Sequence, residues 1–160
     1  MSYLQYFIST KLFLLLAMNP SHKPQHGAAT QDRAMPPIMK VTYSTNAGRG
    51  GTSVNMTITQ NTIVYIQGHN GDEKTYKEKT PRSLWSGLTR SINIKDLDRI
   101  KSDPGHGLYD GIDITITVER GNEVHSIVNG NEDTVNYKRI KSFTDILEGQ
   151  LSRLGKKIRW

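Results

Sequence analysis

The stretch Ile112-Asp113-Ile114-Thr115-Ile116-Thr117-Val118-Glu119 alternates strictly between aliphatic and polar residues. A period of two places successive side chains on opposite faces of a strand, so this stretch predicts a β-strand with one buried and one polar face. Arg120-Gly121-Asn122-Glu123 then predicts a turn, and the return from Val124 to Val128 predicts a hairpin partner. The C-terminal part of the chain is therefore expected to contain antiparallel β-structure.

Four further strands are predicted upstream of this hairpin. Three alternating or β-prone segments, at 38–45, 53–59 and 62–66, are joined by polar or glycine-rich connections. The Asn70-Gly71 dipeptide favours a tight hairpin turn. A polar fourth strand through Thr75-Tyr76-Lys77 is expected after it, because lysines suit the exposed edge of a sheet.

Helical periodicity occurs in three places. Thr80-Pro81 predicts a helix start, with Thr80 as the cap, and Asn93 can cap a second, short helix. Apolar residues from Tyr137 to Leu154 recur every three or four positions, which predicts a long amphipathic C-terminal helix. The expected fold is α+β: an antiparallel sheet in the order β-β-β-(β)-α-α-β-β-α, with the helices packed on one face.

The bulk composition excludes several classes of function. The 160 residues include no cysteine, which excludes disulfides, thiolate metal sites and a thiol nucleophile. The net charge is +6, but the basic residues are spread along the chain apart from Lys156, Lys157 and Arg159. A nucleic-acid-binding protein gathers basic and aromatic side chains on one surface. Because the aromatic residues here fall mostly at core positions, nucleic-acid binding is not expected.

The beginning of the chain differs from the rest. Lys11 precedes the apolar run Leu12–Met18, and the small residues Gly27, Ala28 and Ala29 follow it. A basic residue, a short apolar run and a small-residue cleavage site are the parts of a secretory signal peptide. The run is too short to span a bilayer, so no stable membrane span is expected after the leader is removed.

These features predict a domain organisation and a location. The expected organisation is a signal peptide at 1–29, a linker at 30–37 and a single α+β domain at 38–160. The expected location is periplasmic or secreted, and a cytoplasmic location is the alternative if residues 1–29 are not a leader.

Four polar residues are the best candidates for a functional cluster: His106, Asp110, Asp113 and His125. Imidazole and carboxylate groups together can bind zinc or exchange protons. Their spacing matches no metal-binding motif, however, and strand alternation does not require the four side chains to converge. The sequence therefore assigns no catalytic, cofactor-binding or metal-ligating residue, and no cofactor.

The glycine-rich segment Gly48-Arg49-Gly50-Gly51-Thr52-Ser53 is not interpreted as a phosphate-binding loop. Such a loop ends in Lys followed by Ser or Thr and opens a helix. No lysine follows these glycines, and a strand is predicted next.

Five parts of the sequence carry a resemblance to a known group of proteins: Leu84-Trp85-Ser86-Gly87-Leu88, Ile94-Lys95-Asp96-Leu97-Asp98-Arg99-Ile100-Lys101, Tyr109-Asp110-Gly111-Ile112-Asp113, the turn at Asn122, and Asn129-Gly130-Asn131. They resemble small, uncharacterised envelope proteins and lipoproteins of bacteria. The resemblance implies a β-meander, a short helical pair, a β-hairpin and a closing helix. Because no cysteine follows the apolar run, it implies secretion rather than lipid anchoring, and it carries over no functional residues.

Together these observations predict an exported, non-enzymatic binding or interaction protein of the bacterial envelope. Its partner is an unidentified envelope protein or ligand, bound through loops or through a polar sheet face. The predicted face carries Asn55, Thr57, Thr59, Thr115 and Thr117. Two alternatives are an inhibitor or immunity-type protein that forms a one-to-one complex, and a metal-dependent hydrolase using His106, Asp110 and His125. The oligomeric state is not predicted.

Overall fold

A computed structural model describes residues 36–47, 51–105 and 111–158, which belong to one compact unit. The strands are β1 (Ile38–Ala47), β2 (Thr52–Thr59), β3 (Thr62–His69), β4 (Asp72–Lys79), β5 (Ile112–Arg120) and β6 (Glu123–Val128). The helices are α1 (Arg82–Ser91), α2 (Ile94–Leu97) and α3 (Lys141–Gly155). Two 3-10 turns, at Gly130–Glu132 and Tyr137–Ile140, precede α3. The predicted signal peptide and positions 30–35 of the predicted linker lie outside the described residues.

The six strands form one antiparallel sheet in the order β4-β3-β2-β1-β5-β6. The first four strands follow one another as a meander. After α1 and α2 the chain returns to the other side of β1, where β5 pairs with it antiparallel and β6 completes the hairpin. The antiparallel α+β architecture expected from the sequence is therefore confirmed, and so is the fourth strand.

One face of the sheet forms the hydrophobic core, and we refer to it as the inner face. Its buried strand residues are Val41, Met56, Ile58, Ile63, Tyr65, Ile116, Val118 and Ile127. The register places Ile58, Val41 and Val118 side by side across three strands. Buried side chains of the helices, among them Leu88, Phe143 and Leu147, belong to the same cluster. Removal of this apolar surface from water is the main force that holds the helices against the sheet.

The helix starts correspond only in part to the sequence pattern. Asn93 caps α2 as predicted, since its Oδ1 accepts a hydrogen bond from the backbone N–H of Lys95 at 3.0 Å. The prediction that Thr80 caps α1 is wrong: Pro81 occupies the cap position, and Thr80 is buried with its N–H donated to the carbonyl of Asn61. Packing of this residue beside the β2–β3 turn has overridden its capping preference.

The C-terminal helix begins later than its apolar pattern suggests. Residues Tyr137–Ile140 form a 3-10 turn, and α3 begins at Lys141. Asp133 holds the chain just before this turn, because its carboxylate accepts hydrogen bonds from the N–H groups of Val135 and Asn136. Side-chain caps of this kind compete with helical hydrogen bonding. A hydrogen bond from the side-chain amide of Asn136, together with those from the N–H groups of Lys101, Asn136 and Val135, holds the pKa of Asp133 well below its usual range.

Candidate functional site

The predicted polar cluster is only partly within the described residues. His106 and Asp110 lie outside them, so the structure describes only Asp113 and His125. Asp113 lies on β5, where its Oδ1 accepts hydrogen bonds from Asn129 Nδ2 at 2.7 Å and from the N–H of Gly105 at 3.2 Å. Its carboxylate thus holds a loop against the end of the sheet.

His125 ties β6 to α2. Its Nδ1 lies 2.8 Å from Oδ1 of Asp98, the residue at which α2 ends. Its Nε2 is enclosed and has no hydrogen-bond partner within the described part of the chain, although the Glu123 carboxylate lies 3.5 Å away. A general base needs a nitrogen within reach of substrate. Since Nε2 is covered, the described role of this imidazole is to hold α2 against the sheet through Asp98.

Asp113 and His125 do not converge. His125 pairs with Val118, five positions along β5 from Asp113. An odd separation puts the two side chains on opposite faces of the sheet, about 17 Å apart along the strand. Within the described residues, no group of three His, Cys, Asp or Glu side chains is placed to hold a metal ion.

The polar face of the sheet, which we call the outer face, is formed by strand side chains that point away from the core. Cross-strand pairing arranges its central part in two rows. The first row runs Thr57, Thr42, Thr117 and Ser126, and the second runs Asn55, Ser44 and Thr115. These side chains are half-buried or exposed. The strands are spaced about 4.8 Å apart, so the hydroxyl and amide groups form a regular polar array.

Hydrogen bonds within the outer face link some of these groups. The hydroxyl oxygens of Thr117 and Ser126 lie 3.1 Å apart across β5 and β6. Thr57 donates to the side-chain oxygen of Asn55 at 3.3 Å. Thr59, also predicted on this face, instead bonds the turn that follows it, donating to the carbonyl of Thr62. Thr42 and Ser44 were not predicted to belong to this face; they occupy the centre of the array because β1 lies between β2 and β5.

Charged side chains flank the array. Lys40 of β1 forms an ion pair with Glu119 of β5, its cross-strand neighbour on the outer face. At the other side, Lys77 of β4 lies in the same row as Thr57, with Val64 between them. The outer face is therefore polar on β2, β1 and β5, while the flanking strands β3 and β6 add the aliphatic residues Val64, Ile66, Val124 and Val128 to it.

A second surface feature is a cleft of about 610 Å³ between β4, α1 and α3. Glu78 of β4 and Arg153 of α3 form an ion pair at its wall, and Tyr76 donates a hydrogen bond to the same carboxylate. Hydrogen bonding from Arg153 lowers the pKa of Glu78, and hydrogen bonding to Glu78 raises the pKa of Tyr76. The sequence pattern carries no signal for this group, because β4 and α3 are far apart in the chain. Its joint role is to anchor α3 to the sheet.

The glycine-rich connection is described only from Gly51 onward. Thr52 and Ser53 begin β2, so a strand follows the glycines, as predicted, and not the helix that a phosphate-binding loop requires. Among the described residues, no helix has the length and apolar character needed to cross a bilayer.

No protein-family model matches this chain, and no curated protein matches it either. The resemblance to small envelope proteins therefore stays a prediction.

Proposed function

We propose that this chain is a non-enzymatic binding protein of the bacterial envelope that engages a protein partner through its outer face. The observation that carries the proposal is the pair of unbroken polar rows across β2, β1 and β5. Small-molecule sites are concave and mostly apolar. A broad array on an open sheet face suits a macromolecular partner better.

The chemistry of the array supports this role. Each threonine or serine hydroxyl can both donate and accept a hydrogen bond, so the face can match a partner of either polarity. Threonine side chains are stiff about χ1, and the strands already fix their backbone. Little conformational entropy is therefore lost when a partner binds.

The distribution of aromatic side chains favours protein over sugar or nucleic acid. The three tyrosines at the centre of β1, β3 and β4, namely Tyr43, Tyr65 and Tyr76, all pack with the core cluster on the inner face. Single-stranded nucleic acids are bound by stacking of bases on exposed aromatic rings. Sugars also pack against exposed aromatic rings. The two central rows of the outer face offer hydroxyl and amide groups instead.

Site-specific photocrosslinking in the native host tests the proposed face. A crosslinking amino acid at Thr117 should give one discrete adduct, and Thr57→Arg in the same chain should abolish it. A crosslinker at Ser152, exposed on α3, is the matched control and should give none. Equal adducts from both positions, or an adduct that survives Thr57→Arg, would contradict the proposed face.

The envelope location is supported by the leader-like pattern of residues 1–29 alone. The test is the intact mass of the protein recovered from separated periplasmic and cytoplasmic fractions. A periplasmic species that lacks the leader is expected. A full-length cytoplasmic species would contradict export and would move the search for a partner inside the cell.

A further inference from the structure

The two edge strands of the sheet, β6 and β4, differ in the backbone hydrogen bonds that they make outside the sheet. At the β6 edge, the N–H of Val128 donates to the Ser102 hydroxyl, and the carbonyl of Val128 accepts from the N–H of Asp103. At the other edge, β4 pairs with β3 along its whole length, and the side chains of β4 are mostly exposed. An edge strand of this length is a template for pairing with another chain.

The turn before β4 fixes which of its backbone groups point outward. Asn70 and Gly71 both have positive φ, 53° and 90°, as in a two-residue type I′ turn. Such a turn closes on a hydrogen-bonded pair, here His69 and Asp72, and hydrogen-bonded and non-hydrogen-bonded pairs then alternate. Even positions of β4 therefore bond to β3. Thr80, the next even position, also donates its N–H toward that side, to Asn61.

The odd positions of β4 consequently direct their N–H and C=O groups to the sheet edge, and their side chains share the outer face. These positions are Glu73, Thr75, Lys77 and Lys79. We propose that β4 pairs antiparallel with β4 of a second copy about a two-fold axis at Tyr76. This pairing places Glu73 opposite Lys79 and Thr75 opposite Lys77, twice in each dimer.

Charge complementarity selects this register. Antiparallel partners share a face, so only registers centred on a residue of β4 keep the hydrogen bonds in phase. Centring on Thr75 would place Asp72 opposite Glu78, and centring on Lys74, Lys77 or Glu78 would place that charged residue opposite itself. The register centred on Tyr76 places no like charges opposite each other, and on the inner face it sets Lys74 opposite Glu78.

The outer-face pair of Glu73 and Lys79 contributes most to the choice of this register. The inner-face pair contributes less, because Glu78 already forms an ion pair with Arg153 of its own chain. Lysines at a sheet edge usually oppose pairing. In β4 the acidic residue lies near one end and the basic residue near the other, so a two-fold axis brings opposite signs together. The dimer would carry one continuous sheet, and it does not depend on the partner proposed for the outer face.

Sedimentation velocity of the full chain over a range of concentrations tests the dimer. Glu73→Lys and Lys79→Glu each turn two attractive cross-strand pairs into repulsive ones, so each should raise the dimer Kd about 30-fold. The double variant Glu73→Lys/Lys79→Glu restores opposite charges and should return Kd to within about threefold of the original. Lys95→Glu, exposed on α2, makes the same charge change as Lys79→Glu and is the control.

The proposal is supported if dimerisation weakens in both single variants, recovers in the double variant and is unchanged in the Lys95→Glu control. Circular dichroism must show that all four variants fold. A chain that stays monomeric up to about 1 mM would overturn it. A dimer Kd that neither single substitution changes would also overturn it, because the association would then come from another surface. Weaker dimerisation in the single variants that the double variant does not restore would refute the two-fold register.

Discussion

Asn129 is the residue whose replacement tests the structure most directly. It is 2% exposed and has a left-handed backbone, with φ of 48°. Its Oδ1 accepts from the N–H of Ile114 at 2.7 Å, and its Nδ2 donates to the carbonyl of Asp103 and to the Asp113 carboxylate, each at 2.7 Å. One amide thus closes the gap between the start of β5 and the loop that precedes it.

The expected cost of Asn129→Ala follows from these contacts. The N–H of Ile114 would lose its partner, and leaving this part-buried donor unsatisfied costs about 2 kcal/mol. Asp103 is exposed, so water can replace the amide at its carbonyl, and the Asp113 carboxylate keeps the hydrogen bond from the N–H of Gly105. The loss of these two bonds therefore adds little. Alanine in the left-handed region adds about 1 kcal/mol. We therefore expect the free energy of unfolding to fall by about 3 kcal/mol.

Asn129→Gly separates the two contributions, because glycine tolerates the positive φ and removes the same side-chain bonds. It should cost about 2 kcal/mol, roughly 1 kcal/mol less than alanine. The assay is urea denaturation followed by far-ultraviolet circular dichroism. Asn131→Ala is the control: Asn131 is exposed and bonds only to its neighbour Glu132 among the contacts described. A loss below about 1 kcal/mol for Asn129→Ala would refute the argument that its amide is needed.

Two further predictions concern packing and pH. Gly130→Ala would place a Cβ 2.7 Å from Cδ1 of buried Ile127 and should lower the free energy of unfolding by about 1–3 kcal/mol. In Gly149→Ala, the new Cβ on α3 meets no atom within 4 Å, and the free energy of unfolding should rise by about 1 kcal/mol. Thermal unfolding of both variants checks the opposite signs, and destabilisation by both would contradict the packing described. The lowered pKa of Glu78 means that its ion pair with Arg153 stabilises the fold above the unfolded pKa and is lost as pH falls through the folded pKa. Stability measured from about pH 5 down to pH 3 should therefore fall less steeply in Glu78→Gln than in the original chain; equal slopes would contradict this.

The local elements of the fold were predictable because each has a short-range signal. Alternation from Ile112 to Val118 gave β5, and the Asn70-Gly71 turn gave the fourth strand. The pairing of β1 with β5 has no such signal, since it joins segments separated by three strands and two helices. It depends on burying Val41 and Val118 side by side, which is a property of the whole core.

The candidate site was predictable to the same extent. A period of two placed Thr57 and Thr117 on a polar face, but only the β1–β5 register shows that Thr42 lies between them. The error at Thr80 has a similar cause. Its capping propensity is local, whereas its burial beside Asn61 is decided by the packing of the β2–β3 turn.

The hydrogen bonds of Asp113 and His125, two of the predicted candidates for a functional cluster, also bear on where a partner binds. Buried polar groups in folded proteins are almost always hydrogen-bonded, so a histidine or aspartate at the end of a strand is often consumed by the fold. Asp113 is bound by Asn129, and the Nδ1 of His125 by Asp98. The threonines and serines of the outer face differ, because the hydrogen bonds described for Thr117, Ser126 and Thr57 join neighbours on that same face and leave the array at the surface. We therefore propose this array, and not the positions of Asp113 and His125, as the surface that meets a partner.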